Sequence, residues 1–397
     1  MTARRVAVVT PWYPDPHLPF RGSFVRAMVE ATAPGTDRLD VYHLNGWPVT
    51  RDRERLAAVE ALQERLLPRS VRPVPTAGGA VLHRIAAAVE RVRDHAVHAR
   101  RHAWTLRGAL AGEPLAAPVV HAHVPMLGGY AALENARPDA KVYATEHSSF
   151  LAEVLADTGS RDLYDEILDR LDGCFVVGEP LFALLGEAFP HHAAKIGYLA
   201  NPVDFTSRRP EPPAELRRWL SVAAFNERKR IDYLLRAFAD CRAEDPELTL
   251  TLAGDGELRP ELEALTAELG LAGAVEFLGA VEPDRIPALM AEHDLFVHAS
   301  RHETFGVVVV EALAAGTPVL ATRSGGSDQV LDGVEDDAGA LFDVVDDPAA
   351  LVDAYLALRE RHPHKTDLDR ARAHLSAKYS YAAVADRHHR IWFGGER

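Results

Sequence analysis

Glu303-Thr304-Phe305-Gly306-Val307-Val308-Val309-Val310-Glu311-Ala312-Leu313-Ala314-Ala315-Gly316-Thr317-Pro318-Val319 is the stretch that decides how this chain folds. Two carboxylates stand eight positions apart, Phe-Gly follows close after the first, and the second opens Glu-Ala-x-Ala-x-Gly-x-Pro-Val. The run of four valines is short enough for a buried strand. If Gly306 opens a helix instead, Val307, Val310, Leu313 and Ala314 share one helical face. A helix beginning at Phe305-Gly306 offers free backbone N–H groups, which suit an anionic phosphate. Glu311 then stands about two turns in, on the side toward a cleft. There its carboxylate can accept two hydrogen bonds from a vicinal diol such as a ribose.

Outward from this stretch the chain alternates short apolar runs with helical patterns, as parallel sheets with covered faces require. Val6–Thr10, Leu39–Leu44, Val119–His123, Lys141–Thr145 and Gly173–Val177 read as strands of a first series. Arg208-Arg209-Pro210-Glu211-Pro212-Pro213 reads as a linker, and a second series begins at Leu220. The tail from Tyr381 to Trp392 is amphipathic.

Composition bounds the function. With 58 acidic against 44 basic residues and a formal charge of -14, the chain is a poor nucleic-acid binder. Its two cysteines, Cys174 and Cys241, have no metal-type spacing and fit a reducing cytoplasmic compartment. Only a few apolar residues separate Arg5 from Pro11, too few for a signal-peptide core. No apolar stretch reaches the roughly 18 to 20 residues of a membrane span.

The Glu303–Val319 block resembles the E-x(7)-E motif of retaining glycosyltransferases of family 4, which have the GT-B fold. Further pieces resemble the same family in order and spacing: Val222–Phe238, Leu250–Leu265, Val275–Gly279, Asp294–Ser300 and Ser324-Gly325-Gly326. The resemblance implies an α/β protein of two Rossmann-like domains facing each other across a cleft. Residues 1–203 would bind the acceptor, residues 204–380 the nucleotide sugar, and a C-terminal helix, residues 381–397, would cross back to the N-terminal domain. It implies transfer of a sugar from a nucleotide-diphosphate donor of UDP or GDP type to a hydroxyl acceptor, a small molecule or a surface saccharide, with no cofactor beyond the donor.

The same resemblance assigns residues. Glu311 would hold the ribose, Glu303 would meet the donor sugar, and the amides of Phe305, Gly306 and Val307 would lie near the diphosphate. Lys229 aligns with a phosphate-binding lysine, and its point charge suits a diphosphate. The family commonly has an arginine five positions before that lysine, where this chain has Ala224; either Arg228 or Arg230 supplies that charge or the donor site is weaker or differently shaped. Gly254-Asp255-Gly256 lacks the third glycine of a dinucleotide fingerprint, since Arg259 stands there; it reads as a tight turn whose backbone approaches the nucleotide. In the N-terminal half, Gly22-Ser23-Phe24 follows a proline-rich loop (Pro11, Pro14, Pro16, Pro19) and resembles the family's glycine loop beside diphosphate and acceptor. His147, in Thr145-Glu146-His147-Ser148, resembles the catalytic-site histidine, and His123 points toward the acceptor. Catalytic roles thus fall to His147, Glu303 and Lys229. Donor binding falls to Gly22, Arg228, Gly254, Phe305, Gly306, Val307 and Glu311, and acceptor binding to Ser23 and His123.

No catalytic metal is expected. His121 and His123 lack a third ligand, and Asp367-Leu368-Asp369 reads as a helix cap rather than a metal-holding Asp-x-Asp. Leu82–Leu110 reads as one basic helix with an apolar stripe (Ile85, Val89, Val92, Ala96, Ala99, Ala103, Leu106) and arginines elsewhere (Arg84, Arg91, Arg93, Arg100, Arg101, Arg107). Such a helix keeps open a membrane-surface enzyme with a lipid acceptor, though packing on a domain core is favoured. A non-catalytic nucleotide-sugar-binding module is the third reading, kept open by Ala224.

Overall fold

The computed structural model describes residues 3–15, 18–50, 53–91 and 94–394; Pro16, Val92, Arg93 and the last three residues of the expected C-terminal helix, 395–397, lie outside them. The chain divides into two compact units, Met1–Pro202 with Val384–Arg397, and Val203–Ala383.

The first unit is built on an eight-stranded sheet. Its strands are β1 (Arg5–Thr10), β2 (Arg38–Thr50), β3 (Pro73–Pro75), β4 (Val81–Glu90), β5 (Val119–His123), β6 (Lys141–Glu146), β7 (Gly173–Val176) and β8 (Ile196–Tyr198), in the order β3-β4-β2-β1-β5-β6-β7-β8. All neighbours are parallel except β3 with β4. Central strands such as β5 are buried at every position, which is why they read as unbroken apolar runs rather than alternating ones. The helix Tyr381–Phe393 delivers the chain end to this unit. Trp392 is buried there, with its indole N–H donating to His121 Nδ1 at 2.9 Å.

The second unit carries a six-stranded parallel sheet of order β11-β10-β9-β12-β13-β14. These strands are β9 (Arg218–Val222), β10 (Thr249–Ala253), β11 (Val275–Gly279), β12 (Leu295–His298), β13 (Val319–Thr322) and β14 (Gly339–Phe342). Trp219, Phe238 and Tyr355 fill its core, edge to face at 5.3 and 4.7 Å. Arg208–Pro213 has no regular structure, yet it is docked rather than loose: Arg209 donates to His293 O at 2.7 Å and to Glu211 O at 2.8 Å.

The single basic helix expected over Leu82–Leu110 does not exist. Val81–Glu90 is a strand paired along β2, and the helix starts only at His95, capped by Asp94 whose carboxylate accepts from Val97 N at 2.9 Å. Ile85 and Val89 are β-branched and spaced for either period; pairing with β2 settles them as strand.

Candidate functional site

In the second unit the Glu303 block folds as the helical alternative. Gly306, in the left-handed conformation (φ 86°, ψ 46°), precedes the helix Val307–Ala314, and no side chain caps it. Glycine takes that conformation without strain, so the first amides stay available to a ligand. Of the four residues expected to share one face, Val310, Leu313 and Ala314 are buried and Val307 is half-buried. Val309 and Ala312 are buried as well. Phe305 is buried edge-on against Tyr379 at 5.2 Å.

Glu303 sits where two cations and a buried imidazole converge. Its Oε1 accepts from Lys229 Nζ, from Arg228 Nη1 at 3.1 Å and from His298 Nε2 at 3.1 Å. Its backbone is held as well, with Glu303 N donating to Ser324 O at 2.9 Å and Gly326 N donating to Glu303 O at 3.0 Å. Burial alone would raise this carboxyl, but Lys229, His298 and Arg228 outweigh burial and hold it well below the usual carboxylate range. Burial draws the Lys229 ammonium down while Glu303 draws it back up. An ammonium seated on a carboxylate oxygen is the geometry of a charged pair. Asn226 Oδ1 caps the short turn that presents Arg228 and Lys229, accepting from Lys229 N at 3.3 Å.

Of the two arginines weighed as substitutes at this site, Arg228 reaches Glu303 and Arg230 does not. Arg230 takes a left-handed backbone (φ 53°), lies over the Tyr233 ring at 4.0 Å and donates to Val345 O. Glu311 is the opposite of Glu303. Its carboxyl has no ion-pair or hydrogen-bond partner among the described residues, and burial alone pushes it up to about 7. Gly254 (φ 149°) follows β10, and a Cβ there would lie 1.8 Å from Ala223 O, so only glycine fits that turn.

The first unit gathers His123, His147 and the Gly22 loop. His123 Nδ1 and His147 Nε2 are 2.8 Å apart in one hydrogen bond, and Phe24 packs on the His147 ring at 4.5 Å. Gly22 (φ 73°) precedes the helix Ser23–Thr32, close under Trp12: a Cβ would lie 2.5 Å from the Trp12 carbonyl carbon. Burial, then the neighbours His121 and His388, lower His147 to about 3, so the imidazole is neutral at physiological pH. The loop is held from behind by Glu146. Its Oε1 accepts from His147 N and Ser148 N, both at 2.8 Å, and its Oε2 from Tyr164 OH at 2.9 Å.

The residues expected at the site therefore form two groups, one in each unit. The sequence reading missed His298, Glu146 and Tyr164. His298 was legible as a polar residue closing an otherwise apolar strand five positions before Glu303. Tyr164 carried no signal beyond an apolar helix position. Asp367 caps the helix Leu368–Tyr379, accepting from Arg370 N at 2.9 Å, as the capping reading required. No helix among the described residues is long and apolar enough to cross a membrane.

Residues 204–373 match the family model of glycosyl transferases group 1. The D-inositol 3-phosphate glycosyltransferase of Rhodococcus jostii (strain RHA1) is 34% identical over 218 residues, 48% of each chain. The chain spans about half the length of the curated relatives it matches, or less. Among solved structures, sucrose-phosphate synthase from Thermosynechococcus elongatus aligns over 98% of both chains at 20% identity, with a TM-score of 0.76. Anabaena Alr3699/HepE in complex with UDP and glucose aligns over 98% of this chain and 99% of that one, at 17% identity and a TM-score of 0.70. At such identities the likeness is one of fold, and the fold is GT-B.

Proposed function

We propose that this chain is a family 4 glycosyltransferase. It would move a sugar from a nucleotide-diphosphate donor to a hydroxyl acceptor without a metal, retaining the anomeric configuration. The observation that carries this reading is the contrast between two carboxylates eight residues apart. Glu303, ahead of the helix, is held ionised beneath Lys229, Arg228 and His298, while the Glu311 carboxyl stands unpaired just past the first turn of the helix. Leaving an acid half-buried and unpaired is costly, and a ribose diol is a partner that would offset that cost. The UDP in the Alr3699/HepE structure favours a UDP-type donor.

In this mechanism the amides of Phe305, Gly306 and Val307 and the Lys229 and Arg228 cations meet the diphosphate. They stabilise the charge that grows on it as the bond from the anomeric carbon to the phosphate oxygen breaks. The acceptor hydroxyl adds to the same face of that carbon, and its proton passes to the departing phosphate oxygen. Gly254 lets the backbone approach the nucleotide, and Gly22 with Ser23 would border the diphosphate and acceptor. His147, neutral and fixed by His123, offers hydrogen bonds to hydroxyls rather than a charge. The lipid-acceptor alternative drew on a basic helix from Leu82 to Leu110, and β4 occupies its first part.

The test is a thermal-shift panel of nucleoside diphosphates and their sugars, run on the wild type and Glu311→Ala, with and without EDTA. Stabilisation by UDP is expected, about 2.7 kcal/mol at a hundredfold excess over Kd. It should vanish in the variant and be indifferent to EDTA. No shift with any nucleotide at millimolar concentration sinks the donor site, and binding without transfer to any sugar acceptor favours the non-catalytic module.

A further inference from the structure

We propose that Asp165, His191 and His192 form a binding site for a divalent transition-metal ion of the Zn²⁺ type, which fastens the turn Pro190–Lys195 to the helix Thr158–Arg170. The site is independent of the nucleotide chemistry. Asp165 lies on that helix, and the two histidines are consecutive on the turn. Both imidazoles aim Nε2 at one carboxylate oxygen: Asp165 Oδ1 is 2.8 Å from His191 and 3.0 Å from His192. All three donor atoms lie within 4.8 Å of one another.

Two imidazoles and one carboxylate are a donor set for zinc, nickel or copper rather than for magnesium or calcium, which prefer all-oxygen shells. A tetrahedral ion about 2.0–2.2 Å from each donor needs those donors roughly 3.3 Å apart. The two imidazole-to-carboxylate spacings are a few tenths of an ångström tighter, as direct hydrogen bonds are. The adjustment is small and local. His192 is buried and fixes one ligand, while His191 and Asp165 are 59% and 45% exposed and free to open. That same exposure leaves the fourth position to water. Asp162 and Asp169, three before and four after Asp165 on its helix, add negative charge to this face. Lys195 is turned away, donating to Leu168 O at 3.2 Å.

The ion would brace more than the turn. Phe189, two residues before His191, stacks on Tyr164 at 5.6 Å with the rings 10° from parallel. The Tyr164 hydroxyl in turn holds Glu146 behind the His147 loop. Directly after the turn comes β8, an edge strand of the sheet. Asp165 to Tyr164 is a single step along one helix, so fixing the turn fixes the support of His147 without touching it.

The experiment is calorimetric titration of the metal-stripped full chain with Zn²⁺, and with Mg²⁺ as control, on wild type, Asp165→Asn and His191→Ala. Both substitutions are at exposed side chains, and circular dichroism confirms the fold. One equivalent of Zn²⁺ is expected to bind the wild type at micromolar concentration. Affinity should fall about tenfold or more in each variant, and Mg²⁺ should give no heat. Co²⁺ should give visible d–d absorption in the wild type only, and Zn²⁺ should slow hydrogen exchange across residues 189–198 in the wild type only. Equal Zn²⁺ stoichiometry and affinity in all three proteins, or no saturable binding by the wild type at 100 µM (about fiftyfold above a low-micromolar Kd, where saturation is expected), overturns the proposal.

Discussion

Glu311→Gln is the substitution on which the reading of the second unit can be put at most risk. The carboxyl has no partner among the described residues, and burial lifts it from the ordinary 4.5 to about 7. The sign of the linkage follows from that. Between pH 4.5 and 7 the unfolded chain releases this proton and the folded chain keeps it, so folding loses stability as pH rises through the window. With those two values, the wild type forfeits about 0.8 kcal/mol at pH 5 and about 3.3 kcal/mol at pH 8, at roughly 1.36 kcal/mol per unit. Glutamine fills the same volume but cannot ionise. Burying its amide carries a cost of its own, about 1–3 kcal/mol, which does not change with pH. The stability of the variant relative to the wild type should therefore rise by about 2.5 kcal/mol from pH 5 to pH 8, or about 1 kcal/mol if water reaches the carboxylate and screens it. Urea unfolding at both pH values measures this, and the histidines of the first unit cancel in the difference. A variant-to-wild-type difference unchanged between pH 5 and pH 8 would show that Glu311 is an ordinary solvated carboxylate. Glu311 would then have no need of a diol.

In the first unit the sign reverses. Burial lowers His147 to about 3 and His388 to about 4, so the unfolded chain takes up protons first and stability falls as pH drops below 6.5. Between pH 7 and 5 the loss is up to about 2 kcal/mol for each, and the His147 Cε1–H resonance should stay flat from pH 5 to 9. A titration step in that range would contradict the neutral imidazole. Lys229→Met should cut turnover with a UDP-sugar about a hundredfold or more while the fold survives, and a loss below tenfold would move the diphosphate elsewhere. Gly254→Ala and Gly22→Ala should each lower stability by about 2 kcal/mol or more, since a Cβ would meet backbone at 1.8 and 2.5 Å. Gly270→Ala, also at positive φ but with open space around it, is the control and should cost about 1 kcal/mol.

The parallel sheets were legible because strands buried on both faces leave no period to mistake. Val119–His123, buried at every position, matches its observed strand residue for residue. The helix after Gly306 was legible through one glycine rather than through its valines, whose β-branching argues for strand. What decided it is backbone geometry, a left-handed residue that only glycine takes cheaply. Arg228 and Arg230 could not be told apart from sequence, because the left-handed backbone of Arg230 sends its side chain over Tyr233, and nothing in a basic triplet announces that turn.

Leu82–Leu110 failed for a different reason, and the failure bears on function. Alanines at positions 86, 87, 88, 96, 99 and 103 fit a helical stripe and a buried strand equally well, so the pattern contains no period to discriminate. Asp94 was the available signal, an N-cap residue in mid-pattern that marks where the helix begins. Once β4 pairs along β2, Arg84 becomes a strand residue that donates to Pro14 O at 2.6 Å and ties down the loop leading to Gly22. A charge first counted on the polar side of a basic helix is thus part of what positions the glycine turn under Trp12. Arg84→Ala should accordingly loosen that loop, seen as faster hydrogen exchange over residues 12–22. Unchanged exchange there would leave Arg84 as a surface charge of no consequence to the site.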